Sequence, residues 1–323
     1  MCTAVTYKTR DHYFGRTLDL EYSNNETVAV TPRNFRFEFR NGENIDSHFA
    51  IIGMATVFDG YPLYYEAANE YGLAMAGLNF PGNAHYFDKQ QGKDNVSPFE
   101  FIPWLLSKCR NLDEARKQLS KINLWRENFS DSLPLSPLHW MIADKSGAIT
   151  VESVAEGLKI YENPIGVLTN NPPFDYHMTR LCDYVNITRY SPDNRFGGVD
   201  LPLYSRGMGG IGIPGDLSSS SRFVRAAFVK LNSVAGEGEN ESVSQFFHIL
   251  GSVEQQRGCV VLEDGKYEIT EYTSCINTDK GIYYYTTYGN QCVCAVDMHR
   301  CDLGSKELCV YPLIKEQMIN RQN

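Results

Sequence analysis

Short extended segments with apolar side chains, broken by polar turns, fill the first eighty residues. Ala4-Val5-Thr6-Tyr7 and His12-Tyr13-Phe14-Gly15-Arg16-Thr17-Leu18 flank a break at Thr9-Arg10-Asp11, which predicts two paired strands. Residues 27–31 and 35–40 form a second predicted pair around Pro32-Arg33-Asn34, and strand-like runs follow at 49–56, 61–66 and 73–78. Helical signals come next. Ser97-Pro98-Phe99-Glu100 joins an N-cap serine to proline at the first helical position and glutamate at the third, predicting a helix through Leu105. Asn111-Leu112-Asp113-Glu114 opens another, with Ala115, Leu119 and Ile122 on its apolar face. Strands return at 139–143, 149–154 and 158–161. Helical periodicity reappears at 176–190, 222–231 and 242–250, the last behind a Ser242-x-x-Gln245 capping box. The final third again reads as strands, at 267–276, 282–287 and 293–298.

Strands, helices, strands, helices and strands in that order predict an α+β protein with stacked, mainly antiparallel sheets between helical layers, rather than alternating β-α units. No low-complexity linker, fixed-period repeat or break in composition interrupts the chain, so residues 1–323 read as one domain.

Composition narrows the function. A formal net charge of −9 argues against non-specific nucleic-acid binding, which needs a basic face. No apolar run reaches the ~18 residues of a membrane-spanning helix, and no secretion signal is apparent. Nine cysteines, an odd number, then read as reduced thiols in a cytoplasmic protein rather than a disulfide framework.

Two motifs invite chemistry and decline it on inspection. Gly207-Met208-Gly209-Gly210-Ile211-Gly212 fits the spacing of a dinucleotide-binding turn, but Ile213-Pro214-Gly215 follows where a helix must begin. Cys292, Cys294, Cys301 and Cys309, with His299, lack the tight knuckle spacing of structural zinc sites. Cys292 and Cys294 share one face of a predicted strand, so buried free thiols are expected. A third feature is more promising. Cys2 follows the initiator methionine, and its removal would leave a thiol nucleophile and a free α-amine on one residue. Arg16 and Asp19 lie three apart at the end of the second predicted strand. Asn79 and Asn170 each end a strand, and Arg222 opens a helix after a run of serines. Taken one at a time, these read equally as a local ion pair, turn residues and a solvated arginine.

Together they resemble a known family. Met1-Cys2-Thr3-Ala4, Phe14-Gly15-Arg16-Thr17-Leu18-Asp19, Gly77-Leu78-Asn79-Phe80-Pro81-Gly82, Gly166-Val167-Leu168-Thr169-Asn170-Asn171-Pro172 and Ser221-Arg222-Phe223-Val224-Arg225 resemble the choloylglycine hydrolases, in order and across essentially the whole chain. Leu138-His139-Trp140 and Gly281-Ile282-Tyr283-Tyr284-Tyr285 agree as well. These are the conjugated bile salt hydrolases, with the penicillin V acylases as relatives. The resemblance implies an N-terminal nucleophile hydrolase with an αββα four-layer sandwich, a homotetramer, and no metal or cofactor. It implies Cys2 as the nucleophile once Met1 is gone, supported by Arg16, Asp19, Asn79, Asn170 and Arg222. In this reading Asp19 accepts a hydrogen bond from the amine, and Arg16 favours a thiolate. The Asn79 main chain or the Asn170 side chain meets the oxyanion, and Arg222 holds the network together or meets the anionic end of the substrate. Asparagine at position 79, where penicillin V acylases tend to carry tyrosine, favours glycine- or taurine-conjugated bile salts as substrates. An amphipathic steroid calls for an aromatic-lined pocket, for which Tyr22, Phe58, Tyr65 and Phe129 are the candidates.

Overall fold

The computed structural model describes residues 1–323. In chain order its strands are β1 (Cys2–Lys8), β2 (His12–Leu20), β3 (Thr27–Thr31), β4 (Phe37–Glu38), β5 (Asn44–Ile45), β6 (Ile51–Phe58), β7 (Tyr61–Asn69), β8 (Ala74–Asn79), β9 (Asp94–Val96), β10 (Ile122–Leu124), β11 (Leu138–Asp144), β12 (Gly147–Val154), β13 (Gly157–Glu162), β14 (Val167–Leu168), β15 (Ile269–Asn277), β16 (Ile282–Thr287), β17 (Asn290–Asp297) and β18 (Cys309–Pro312). The helices are α1 (Phe101–Leu106), α2 (Leu112–Leu119), α3 (Phe174–Leu181), α4 (Ser219–Asn232) and α5 (Glu239–Gly251).

One sheet runs β14-β1-β2-β15-β16-β17 and the other β13-β12-β11-β8-β7-β6-β3-β18. The two sheets meet where β1 and β2 approach β8. Helices α4 and α5 cover the outer face of the first sheet, and α1 and α2 that of the second. This is the expected α/β/β/α layering. It explains why β1 and β2 are almost continuously buried: each is covered by a sheet on one face and by helices on the other. Gly15 is required at the β2–β15 contact, since a Cβ there would lie 2.0 Å from the Ser274 carbonyl oxygen.

Several local expectations need correction. Of residues 35–40 only Phe37–Glu38 is strand, and it pairs with Asn44–Ile45. β3 has both edges taken by β6 and β18, so no local partner can add to it. Helix α1 begins at Phe101 rather than behind Ser97, whose hydroxyl is spent on the Glu127 carbonyl. Asn111 caps α2 as expected, accepting from the Glu114 N–H at 2.9 Å, but Ile122 lies beyond the helix, in β10. Helix α5 starts at Glu239, with the Glu241 carboxylate reaching the Gly238 N–H. Ser242 is buried inside the first turn and bonds Thr9 instead of capping. Helix α3 stops at Leu181, a 3₁₀ turn covers Cys182–Tyr184, and the remainder of the expected helix is irregular. Gly207 adopts a left-handed φ of 77° ahead of a single 3₁₀ turn, not a phosphate-binding helix. Cys292, Cys294, Cys301 and Cys309 are half-buried rather than buried: β17 and β18 are the outermost strands of their sheets, and Cys301 follows the 3₁₀ turn between them.

Candidate active site

The antiparallel pairing of β1 with β2 sets Cys2 opposite Leu18 and Ala4 opposite Arg16. Side chains alternate along a strand, so Cys2 and Arg16 share the face turned towards the second sheet, while Thr3, Thr17 and Asp19 share the face turned towards α4. Cys2 is 2% exposed.

On the helix side a hydrogen-bonded cluster gathers around the main chain of Cys2. The Asn170 Oδ1 accepts from the Cys2 N–H at 2.8 Å and from the Arg222 Nη2 at 2.8 Å. Its Nδ2 donates to the Asn79 carbonyl at 2.8 Å, its N–H to the Ser219 hydroxyl at 2.8 Å, and its carbonyl accepts from His177 Nε2 at 2.9 Å. Arg222 Nη1 donates to the Cys2 carbonyl (2.7 Å) and the Thr3 hydroxyl (2.6 Å), and stands 3.8 Å from the Asp19 carboxylate. Asp19 also accepts from Thr270 at 2.7 Å and Thr17 at 3.2 Å. Five of the six expected residues therefore meet through direct contacts, drawn from β1, β2, the end of β8, the segment after β14, and α4.

The sixth, Arg16, reaches across the interface between the sheets. Nη1 donates to the Gly77 carbonyl at 2.5 Å and more weakly to that of Tyr65 at 3.4 Å, while Nε donates to the Thr17 carbonyl. Burial disfavours its charge, but the Cys2 sulfur together with Tyr272, Glu66 and Asp19 outweighs burial and holds Arg16 above its ordinary range. Arg222 goes the other way: its equally complete burial wins over Asp19, Cys2 and Glu268. Both guanidiniums stay charged, and they differ in partners: Arg16 reaches main-chain carbonyls across the sheet interface, and Arg222 joins Cys2, Thr3, Asn170 and Asp19.

With Met1 in place, neither the Cys2 nor the Met1 nitrogen donates to the Asp19 carboxylate. The Cys2 N–H goes to Asn170, and the Met1 α-ammonium goes to the Asp19 main-chain carbonyl at 2.5 Å and the Glu268 carboxylate at 2.6 Å. The Asn170 amide nitrogen, expected as an oxyanion donor, already donates one hydrogen to Asn79, leaving one. Asn79 itself pairs with Leu138 between the hydrogen-bonded positions 78/139 and 80/137, so its N–H points away from β11.

Of the four aromatic candidates, two are in contact. Phe58 and Phe129 pack edge to face at 5.6 Å, and Phe129 lies 5.9 Å from Tyr61. Tyr22 is half exposed after β2. Tyr65 hydrogen-bonds Thr56 through its hydroxyl, and only its carbonyl touches a site residue, Arg16. Sequence reasoning passed over Glu66, Tyr272, Tyr283, Thr270 and Glu268. For Glu66 a signal existed: one acid inside the run Tyr64-Tyr65-Glu66-Ala67-Ala68 of a predicted strand.

His177, under Asn170, is held neutral, its pKa pushed down to about 4 mainly by burial. His12 is lowered to about 4 for the same reason. The unfolded chain binds these protons from about pH 6.5, so the folded state loses stability as pH falls from there towards 4. The thermal midpoint should drop across that window, with a shallower slope in His177→Gln. An unchanged slope in that variant would remove His177 as a cause.

A sandwich of two mainly antiparallel sheets between helical layers is the architecture of the N-terminal nucleophile hydrolase fold. Comparison with known proteins makes this specific. The profile described as linear amide C–N hydrolases, choloylglycine hydrolase family, matches residues 2–311. The chain is 55% identical over 317 residues to the bile salt hydrolase/transferase of Lactiplantibacillus plantarum, covering 98% of each. It is 38% identical to the bile salt hydrolase/transferase of Clostridium perfringens, covering 100% of each. Among solved structures, the C2A mutant of conjugated bile acid hydrolase from Clostridium perfringens superposes with a TM-score of 0.93 at 37% identity over the full length of both. The penicillin V acylase of Agrobacterium tumefaciens reaches 0.77 at 20% identity, over 98% of this chain and 95% of that one, and shares the fold. The chain belongs to the choloylglycine hydrolase family and is a linear amide C–N hydrolase.

Proposed function

We propose that this enzyme cleaves the amide joining a bile acid to glycine or taurine, with Cys2 as nucleophile after removal of Met1. The observation that supports this most directly is the enclosure of the Cys2 main chain by Asn170 and Arg222, in a chain 55% identical to a bile salt hydrolase/transferase. In the mature form the nitrogen now bonded to Asn170 Oδ1 becomes the α-amine. Its fixed acceptor orients it to take the proton from sulfur and return it to the leaving amine. The sulfur attacks the amide carbon, glycine or taurine departs, and water hydrolyses the thioester. Arg16, charged and on the same face as Cys2, favours the thiolate. The outward-facing Asn79 N–H and the spare Asn170 hydrogen are donors for the oxyanion, each worth about a hundredfold or more in turnover. Asp19 is the counter-charge that keeps Arg222 in place behind the amine. Tyr22, Phe58, Tyr65 and Phe129 are assigned to the steroid pocket.

Residues 1–323 act as one domain in this reading. Its support is that the strands of each sheet come from widely separated parts of the chain. A homotetramer is supported by the apolar side chains exposed between α3 and α4, including Val185, Phe196, Tyr204 and Ile211. No helix is long and apolar enough to cross a membrane, and a cytoplasmic location is proposed. The test compares release of glycine or taurine from conjugated bile salts with cleavage of phenoxyacetyl amides by processed protein. Preference for the bile salts is expected, and hydrolysis of neither would refute the proposal.

A further inference from the structure

Glu66 lies on β7, in the second sheet, and is 0% exposed. Its Oε2 stands 3.9 Å from Arg16 Nε, beyond hydrogen-bonding distance. Phenols from the opposite sheet occupy it instead. Tyr272 on β15 donates to Oε2 at 2.7 Å, and Tyr283 on β16 donates a short bond to Oε1. Arg16 crosses the interface the other way, with Nη1 on carbonyls of β7 and β8, and its main-chain N–H is fixed by Ser274 at 3.1 Å. The result is an unusual arrangement for a buried cation beside a buried anion. The pair does not close into a bidentate fork, and Arg16 Nη2 is buried with no partner in the protein. An orphaned guanidinium N–H is costly to leave unmade, and it belongs to a side chain on the same strand face as Cys2.

On the reading that Cys2 is the nucleophile, we propose that Tyr272 and Tyr283 hold the Glu66 carboxylate off Arg16, so that the guanidinium stays charged yet keeps one N–H for the Cys2 sulfur. Glu66 and its two phenols are positioning residues that act through Arg16. Without the phenols, Glu66 gains free lone pairs and draws Arg16 into the closed ion pair, so the sulfur loses its cation. Without the Glu66 charge, the cation is uncompensated and its field at the sulfur grows.

The test is the acid limb of the kcat/KM–pH profile of processed enzyme. A second readout is the pH dependence of Cys2 alkylation by iodoacetamide, followed by peptide mass. The limb should move to higher pH in Tyr272→Phe and Tyr283→Phe and to lower pH in Glu66→Gln. A shift of one unit corresponds to roughly tenfold in rate at the acid end. Opposite displacements are the electrostatic signature, because a merely structural role lowers rates evenly across pH. Displacement in the same direction in all three variants, or none, overturns the proposal. Each phenylalanine variant keeps the ring and so the packing, which covers the case in which Glu66→Gln does not fold. If wild-type enzyme hydrolyses no amide, the functional reading fails, and the alkylation profiles still decide the role of the phenols.

Discussion

Cys2→Ala is expected to remove turnover while leaving the fold in place. Loss of a catalytic nucleophile costs about a millionfold in the comparable serine case, and no other thiol stands where Cys2 does. Structurally the change is small. Asn170 and Arg222 bind the Cys2 main chain, not its side chain, and those bonds persist in alanine. Deleting one buried sulfur costs roughly 1 kcal/mol, a shift of a few degrees at most in a chain this long. Release of glycine from a conjugated bile salt and thermal unfolding of the same preparation give both numbers. Measurable hydrolysis by the alanine variant would end the nucleophile assignment. A protein that retains Met1 should be equally silent. Its cysteine nitrogen is then an amide, and the ammonium sits one residue away, on Glu268 and the Asp19 carbonyl. Intact mass identifies the form being assayed.

The second large effect is on stability. Arg222→Met is expected to destabilise the protein by about 3–5 kcal/mol, because it leaves the buried Asp19 carboxylate without its counter-charge and removes one donor each from the oxygens of Cys2, Thr3 and Asn170. Asp19→Asn in the same chain should recover part of that loss, since it removes the uncompensated charge. Chemical denaturation of the two single variants and the double variant measures the coupling. Strict additivity would show that the 3.8 Å pair carries no energy of its own.

Much of the sandwich was legible from pattern alone. β3 and β16 fall on their predicted residues, and β2, β6 and β8 within two, because each is a compact apolar run between turn residues. Failures came where a local signal met a distant competitor. Ser97 and Ser242 carry good capping sequences, but their hydroxyls are claimed by Glu127 and Thr9. β14 and β18 are too short to announce themselves and exist because β1 and β3 offer open edges. Six site residues were visible as candidates, yet only family resemblance could assemble them, since their contacts span between 52 and 220 positions. Glu66 was hidden for another reason: its partners are phenols on strands more than 200 residues away.

Those separations govern when the site can come into being. The strand that begins at Cys2 is made well before its neighbours across the helix face, Asn170 and Arg222, which emerge 168 and 220 residues later. β15, which completes the other edge of β2, follows later still. Contacts of such range form late and slowly. A growing or truncated chain therefore displays the cysteine without its surroundings, and catalytic competence arrives only with the last third of the polypeptide. Activity in this protein is a report that synthesis has passed β15.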